Sequence, residues 1–369
     1  MYVVIRVDAS LEIGTGHVMR CLTLADELKM SGAEVIFLSR LLPGNLNDYI
    51  RGRGYTVYAL MPPSESLGSR IDKDHTKWLG VPWERDAKEV INLLRQMAKK
   101  ADWLIIDSYS IDSRWERRIR SAVKRILVID DLADRAHECD ALLDQNFVFD
   151  MLKRYESLVP AECKLLLGPK YALLRPEFTH YRNYSRSYLG SVKRLLVFYG
   201  GVDLTNETSK AIEAISLLDN KNIQVDVVVG QGNPHKEKIS KICQERDNFN
   251  YYCQVKNMAD LMVKADMALG AGGSTMWERC FVGLPCVTTI VAANQDIITR
   301  AVADFGAVYN LGWYEDVSVK KIEETLKVLL SDKDKLTKLQ DRSKELMCNK
   351  KNVSDLLTTI NLWRNHENS

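Results

Sequence analysis

The sequence predicts an α/β protein built from two Rossmann-like domains facing a cleft. Three observations lead there. Short, β-rich apolar runs alternate with amphipathic stretches, the pattern of parallel βαβ units. The alternation breaks once, over residues 165–194, and then restarts. The chain has 369 residues, more than one hydrophobic core usually serves.

The elements follow in order. "YVVIRV" (2–7) reads as a buried strand. "HVMRCLTLADELKMSG" (17–32) reads as a helix: Val18, Cys21, Leu22, Leu24, Ala25 and Leu28 form its apolar face, and Gly32 stops it. "AEVIFLS" (33–39), "YTVYAL" (55–60), "DWLIID" (102–107) and "RILVID" (125–130) continue the strands, with a helical stretch over 84–100. Residues 165–194 are polar, aromatic and Arg-rich, which marks a junction between domains. "RLLVFYGG" (194–201), "IQVDVVVG" (223–230), "ADMALGAGG" (265–273) and "PCVTTIV" (285–291) then repeat the grammar, and the chain is helical from Val317 onward. The expected domains are 1–175 and 190–345, followed by a helical tail over 346–369.

Composition narrows the class. Apolar residues make up 46% and charged residues 27%, ordinary for a soluble globular protein. A net charge of +2 gives no case for nucleic acid or an anionic membrane as partner. The eight cysteines form no C-x-x-C pair, and several lie in apolar runs, so reduced thiols and a cytoplasmic location are expected. "MYVVIRVD" lacks the basic start of a signal peptide, and no run approaches the roughly 18 apolar residues of a membrane span. The expectation is a monomer or weak oligomer without a cofactor.

Ligands of doubly wound sheets bind beyond the carboxyl ends of the strands, so the loops there hold the candidate chemistry. Arg6 and Asp8 end the first strand. Gly14 and Gly16 let backbone approach a ligand, and His17 follows at the head of a helix. A dinucleotide fingerprint would need glycine at position 19, which is Met19. His17 reads either as a packing residue or as a general base. Its glycine turn and strand-end setting favour the base, since an imidazole titrates near working pH. Asp107 and Tyr109 end another strand of the same half, and Asp8 is the reserve base. Asp130 and Asp131 are adjacent at a strand end. They read more simply as a turn or polar contact than as a metal site, and no metal is expected.

In the second half, "GAGGSTMWE" (270–278) runs from a strand into a helix. The N–H groups of Gly272, Gly273, Ser274 and Thr275 suit a diphosphate, and Glu278 suits a ribose. A Ser cap with a following Glu is the plainer alternative. Gly200 and Gly201 in "YGGVDLTN" form a second phosphate-facing turn. Asn294 and Gln295 complete the substrate-facing set.

These motifs occur together and in order: "RVDASLEIGTGHVMRCLTLADEL", "WLGVPWERDA", "VIDDLADR", "LLDQNF", "LLGPKYALLRPEF", "YGGVDLTN" and "GAGGSTMWE". From residue 1 to about 310 the chain resembles the PseG family of UDP-2,4-diacetamido-2,4,6-trideoxy-beta-L-altropyranose hydrolases of pseudaminic acid biosynthesis. It is also similar to spore-coat polysaccharide proteins and to MurG-type transferases. The resemblance implies hydrolysis of a UDP-sugar at its anomeric C–O bond by water, with inversion and without metal. It also implies that His17 activates the water, that Glu278 meets the nucleotide ribose and that Tyr109 lies near the sugar. Ser108 stands where the family commonly has His, and Val202 where it commonly has Ser. An inverting glycosyltransferase and a non-catalytic nucleotide-sugar-binding protein are the rival readings.

Overall fold

A computed structural model describes residues 1–63, 77–181, 184 and 191–348. The expected tail beyond residue 348 and residues 182–183 and 185–190 of the polar junction lie outside the described residues. The chain divides into two compact units, with the change at Pro176/Glu177.

The first unit contains β1 (Tyr2–Val7), α1 (Gly16–Met30), β2 (Glu34–Arg40), α2 (Asn47–Gly52), β3 (Thr56–Leu60), α3 (Trp83–Gln96), β4 (Ala101–Asp107), α4 (Ser113–Ile119), β5 (Val123–Ile129), β6 (Ala141–Asp144) and β7 (Lys164–Leu167). Its strands form one parallel sheet in the order β3-β2-β1-β4-β5-β6-β7. A parallel sheet is covered on both faces, so its central strand has no polar side. All six residues of β1 are accordingly buried. Val3, Ile5 and Val7 pack with Val18, Leu22 and Leu28 of α1 on one face. Tyr2 and Val4 pack with Val90, Trp115 and Ile119 of α3 and α4 on the other. Each such aliphatic side chain contributes about 1.5–3 kcal/mol on full burial.

The second unit contains β8 (Arg194–Phe198), α5 (Glu207–Leu217), β9 (Gln224–Val229), α6 (Lys236–Gln244), β10 (Phe249–Cys253), α7 (Met258–Lys264), β11 (Met267–Ala271), α8 (Thr275–Phe281), β12 (Cys286–Ile290), α9 (Asp296–Phe305), β13 (Tyr309–Trp313), α10 (Val319–Ser331) and α11 (Lys333–Met347). Its parallel sheet runs β10-β9-β8-β11-β12-β13. Both orders share one feature: the chain winds outward in one direction from the first strand, then returns and winds in the other. The reversal falls between β1 and β4 in one unit and between β8 and β11 in the other. A crevice for ligands opens at such a switch point, outside the carboxyl ends of those strands.

Four strands were not foreseen. β6 and β7 have four residues each, and β10 and β13 lie at the two edges of the second sheet with several half-exposed residues. The helix expected over 84–100 ends at Gln96, where Met97 turns to extended backbone. Among the described residues, the C-terminal helical region forms α10 and α11. Asp332 separates them, its carboxylate accepting the Lys335 N–H at 2.9 Å to cap α11.

Candidate active site

Asp8 lies one residue past β1, and Asp107 ends β4, so the two carboxylates flank the switch point of the first sheet. The loop between β1 and α1 carries His17 back to the same place. Ser10 Oγ accepts the Ile13 N–H at 3.0 Å, and the Gly14 N–H donates to the Ser10 carbonyl at 2.9 Å. Gly14 has φ +76°, a conformation that favours glycine. Gly16 opens α1, and a Cβ there would meet nothing within 4 Å, so packing does not demand that glycine. His17 is the second residue of the helix.

His17 Nδ1 lies 2.5 Å from Asp107 Oδ1. Burial alone would push the Asp107 carboxyl up, but the charge of the Arg20 guanidinium and the hydrogen bonds from Arg20 and His17 outweigh it and hold it well below the usual carboxylate range. An ionised carboxylate only accepts hydrogen bonds, so Nδ1 carries the imidazole proton and Nε2 is left as the basic nitrogen. This tautomer is assigned from the bonding partners. The Tyr109 ring meets His17 edge-on, with centroids 4.6 Å apart at 82°, and Trp78 lies 5.6 Å from Tyr109. Asp8, Ile13, His17, Trp78, Asp107, Ser108 and Tyr109 line a pocket of about 10 Å³, the lower limit for holding one water. A larger hollow of about 410 Å³ lies against the edge strand β7 and includes none of these residues.

Arg6 lies inside the fold rather than on a cleft wall. It has no exposed surface. Its guanidinium lies 2.6 Å from Asp8 and donates to Asp86 Oδ2 at 2.7 Å. Asp8 also accepts the Arg40 N–H at 2.7 Å. Arg6 thus holds Asp8 in place from inside the fold. Asp130 and Asp131 part company despite their adjacency. Asp130 lies 2.9 Å from Arg135 and accepts the Ala133 N–H, whereas Asp131 accepts from Arg20 at 2.7 Å. No group of three or more His, Cys, Asp or Glu among the described residues is arranged to hold a metal ion.

Arg20 joins the site without having been expected there. It donates from Nε to Asp107 Oδ2 at 2.6 Å and from a terminal nitrogen to Oδ1 at 2.7 Å. The signal was present: a basic residue three positions after His17, in a helix whose surrounding residues are apolar.

In the second unit, the two glycine turns lie after β8 and β11, at that sheet's switch point. Gly200 has φ +102°. Gly201 packs so closely on the end of β9 that a Cβ at Gly230 would stand 2.2 Å from the Gly201 carbonyl oxygen. The head of α5 is not a free anion site: Asp203 accepts the N–H groups of Glu207 at 3.0 Å and Thr208 at 2.9 Å. The carboxylate in "GGVD" therefore occupies the place expected for phosphate at that helix. The turn after β11 differs. Ser274 occupies the cap position of α8 without a side-chain capping bond, so the plainer capping alternative is not realised by its hydroxyl. Arg279, buried behind the turn, donates to the Ala271 carbonyl at 2.6 Å and to Thr275 Oγ1 at 3.2 Å. A Cβ on Gly272 would meet Thr299 Oγ1 at 2.0 Å, so this glycine is fixed by close packing of α9. Glu278 is buried one turn further on. Gln295 sits beside Gly273, its Nε2 3.6 Å from where a Cβ would be. Asn294 lies in the same short turn as Gln295.

The chain resembles known proteins at three levels. A model of the glycosyltransferase family 28 C-terminal domain matches residues 195–359. The protein MJ1062 of Methanocaldococcus jannaschii is 27% identical over 78% of this chain, and the chain spans 55% of that relative's length. In structure, MurG of Acinetobacter baumannii matches with a TM-score of 0.61 at 14% identity, covering 93% of this chain and 94% of that one. That likeness gives the fold: two Rossmann-like domains of the GT-B class. The UDP-2,4-diacetamido-2,4,6-trideoxy-beta-L-altropyranose hydrolase of Campylobacter jejuni is 30% identical over 80% of this chain and 94% of its own length. With that identity across nearly all of a relative so named, the chain belongs to the family of UDP-2,4-diacetamido-2,4,6-trideoxy-beta-L-altropyranose hydrolases, the PseG family.

Proposed function

We propose that the protein hydrolyses UDP-2,4-diacetamido-2,4,6-trideoxy-beta-L-altropyranose at its anomeric C–O bond with inversion. The products are UDP and 2,4-diacetamido-2,4,6-trideoxy-L-altrose, for pseudaminic acid biosynthesis. One observation carries the reading: an imidazole whose Nδ1 is held by an ionised Asp107 and whose Nε2 is left as the base, beside a pocket of about 10 Å³. In this reading a water molecule gives its proton to His17 Nε2 as its oxygen bonds to C1. The C1–O bond to the diphosphate breaks, and its electron pair leaves with UDP. Inverting glycosidases use a base and a water in the same relation. Tyr109 and Asp8 line the same pocket and suit the sugar.

The nucleotide is assigned to residues 190–345, the base to residues 1–175. Backbone N–H groups of Gly272, Gly273, Ser274 and Thr275 meet the diphosphate and the charge that develops on it. Gly200 and Gly201 supply a second close approach, and Gln295 lies beside the same turn. Glu278 accepts the ribose hydroxyls. Replacing Glu278 by Ala is expected to weaken UDP binding by about 1–3 kcal/mol, the cost of losing a charged hydrogen-bond partner. Calorimetry with UDP alone measures this, and an unchanged affinity would remove Glu278 from the ribose site. All eight cysteines are free thiols, which suits a reducing compartment, and the reading places the enzyme in the cytoplasm.

Turnover is expected to persist in excess chelator, because Asp130 and Asp131 are committed to Arg135 and Arg20. Loss of activity restored by magnesium would overturn that. The experiment for the whole reading is incubation with the UDP-sugar and no acceptor, following UDP. Hydrolysis releases UDP in water alone. A glycosyltransferase releases it at a comparable rate only when an acceptor is added, and a binding protein never does.

A further inference from the structure

We infer that Arg20 is a positioning residue for the proposed hydrolysis, setting both the tautomer and the charge of His17 through Asp107. The inference rests on His17 being the base. Arg20 lies three residues after His17 on α1, so both side chains leave the same face. Its guanidinium engages both Asp107 oxygens, at 2.6 and 2.7 Å, a two-point grip that fixes the plane of the carboxylate. Asp107 Oδ1 is the atom that meets His17 Nδ1, so the grip also aims the imidazole. Asp131 anchors the third nitrogen of Arg20 at 2.7 Å from beyond β5.

Charge acts alongside this geometry. His17 is faced by Asp107 from β4, by Asp8 from the end of β1, by the edge-on Tyr109 ring, and by Arg20 from its own helix, at 3.2 Å from Nδ1. Cys21 also touches Asp107, but burial pushes its thiol up and keeps it neutral. Among the described residues facing the Asp107–His17 pair, Arg20 is the cation in contact with it. A buried carboxylate facing an imidazole without a compensating cation favours the imidazolium, which is not a base. With Arg20 in place, Asp107 is already paired. It orients the imidazole without holding a second proton on it.

The test is ¹⁵N NMR of histidine in the full chain at pH 7, without substrate, beside steady-state kinetics. The wild type should give a neutral His17 protonated at Nδ1. Arg20→Met should give the imidazolium, with kcat lower by about 10² and KM within about threefold, the mark of an effect on the chemical step. Arg20→Lys restores the charge without the two-point grip. It should return His17 to the neutral form and recover at least about tenfold of kcat relative to Arg20→Met. A neutral, Nδ1-protonated His17 in folded Arg20→Met overturns the proposal. So does an Arg20→Lys variant no better than Arg20→Met. Should Arg20→Met fail to fold, Asp131→Asn carries the charge test. It removes a negative charge, so His17 must remain neutral, and an imidazolium there overturns the proposal. The NMR signature is read without turnover. A wild type with the expected His17 signature and no UDP release would sink the hydrolase reading alone.

Discussion

Replacing His17 by Asn is expected to lower turnover of the UDP-sugar by about 10²–10⁴, the usual worth of general-base help, with UDP affinity unchanged. Asn preserves a donor for Asp107 and much of the side-chain shape, and removes only the basic nitrogen. The nucleotide contacts assigned to Gly272–Thr275 and Glu278 belong to the other domain and are untouched. Parallel measurement of kcat and of UDP binding by calorimetry separates the roles. Near-normal turnover, or UDP binding lost in proportion to rate, would mean that His17 packs the loop or positions substrate. Asp8, which lines the same pocket, then becomes the base to examine.

Asp86→Ala is expected to destabilise the first domain by about 3–5 kcal/mol, the cost of leaving buried charges without their partner. Asp86 is fully buried at the start of α3. It accepts from Arg6 at 2.7 Å, Arg40 at 2.6 Å and Trp115 Nε1 at 3.0 Å, tying β1, β2, α3 and α4 to one carboxylate. Arg6 and Arg40 are themselves fully buried, so its removal leaves two guanidinium groups short of a counter-charge. Burial would raise the Asp86 carboxyl, but Arg6 and then Arg40 outweigh it and hold it below its ordinary value. The sign for pH follows. A group whose value is depressed in the fold contributes stability above its unfolded value, about 3.9, and loses it as pH falls through the folded one. Wild-type stability should therefore drop below about pH 4, and that drop should be shallower in Asp86→Ala. Urea unfolding at pH 7 and pH 3 measures both. A change under about 1 kcal/mol at pH 7, the range of exposed pairs, would show that the network carries little of the stability.

The sequence displayed the fold well because parallel strands are buried on both faces. Runs such as "YVVIRV" and "DWLIID" need no partner to be legible. The four strands that escaped notice are short or lie at edges, where burial leaves little periodicity, as in "FNYYC" of β10. His17, Asp107, Tyr109 and Asp8 were legible as strand-end and loop residues, and they converge on one pocket. What the sequence hid was pairing across distance. Arg6 looked like a cleft residue, but its partner Asp86 lies 80 residues away, and that ion pair pulls it inside. Arg20 stood unmarked among apolar neighbours, and its partner Asp107 is 87 residues further along. Asp203 shows the opposite case: its cap on α5 is only four and five residues away, and a phosphate reading of the glycine pair concealed it.

The central claim is attack by water at the anomeric carbon, and one measurement tests it most directly. The UDP-sugar is incubated with the protein in ¹⁸O-labelled water, following the anomeric proton by NMR and the label by mass spectrometry. The account predicts ¹⁸O at C1 of the released sugar, unlabelled UDP, and first-formed sugar of inverted anomeric configuration. Label in the UDP would place the attack on phosphorus, retained configuration would remove the single-displacement step, and no release without an acceptor would leave a transferase or a binding protein. Each of these results contradicts the account.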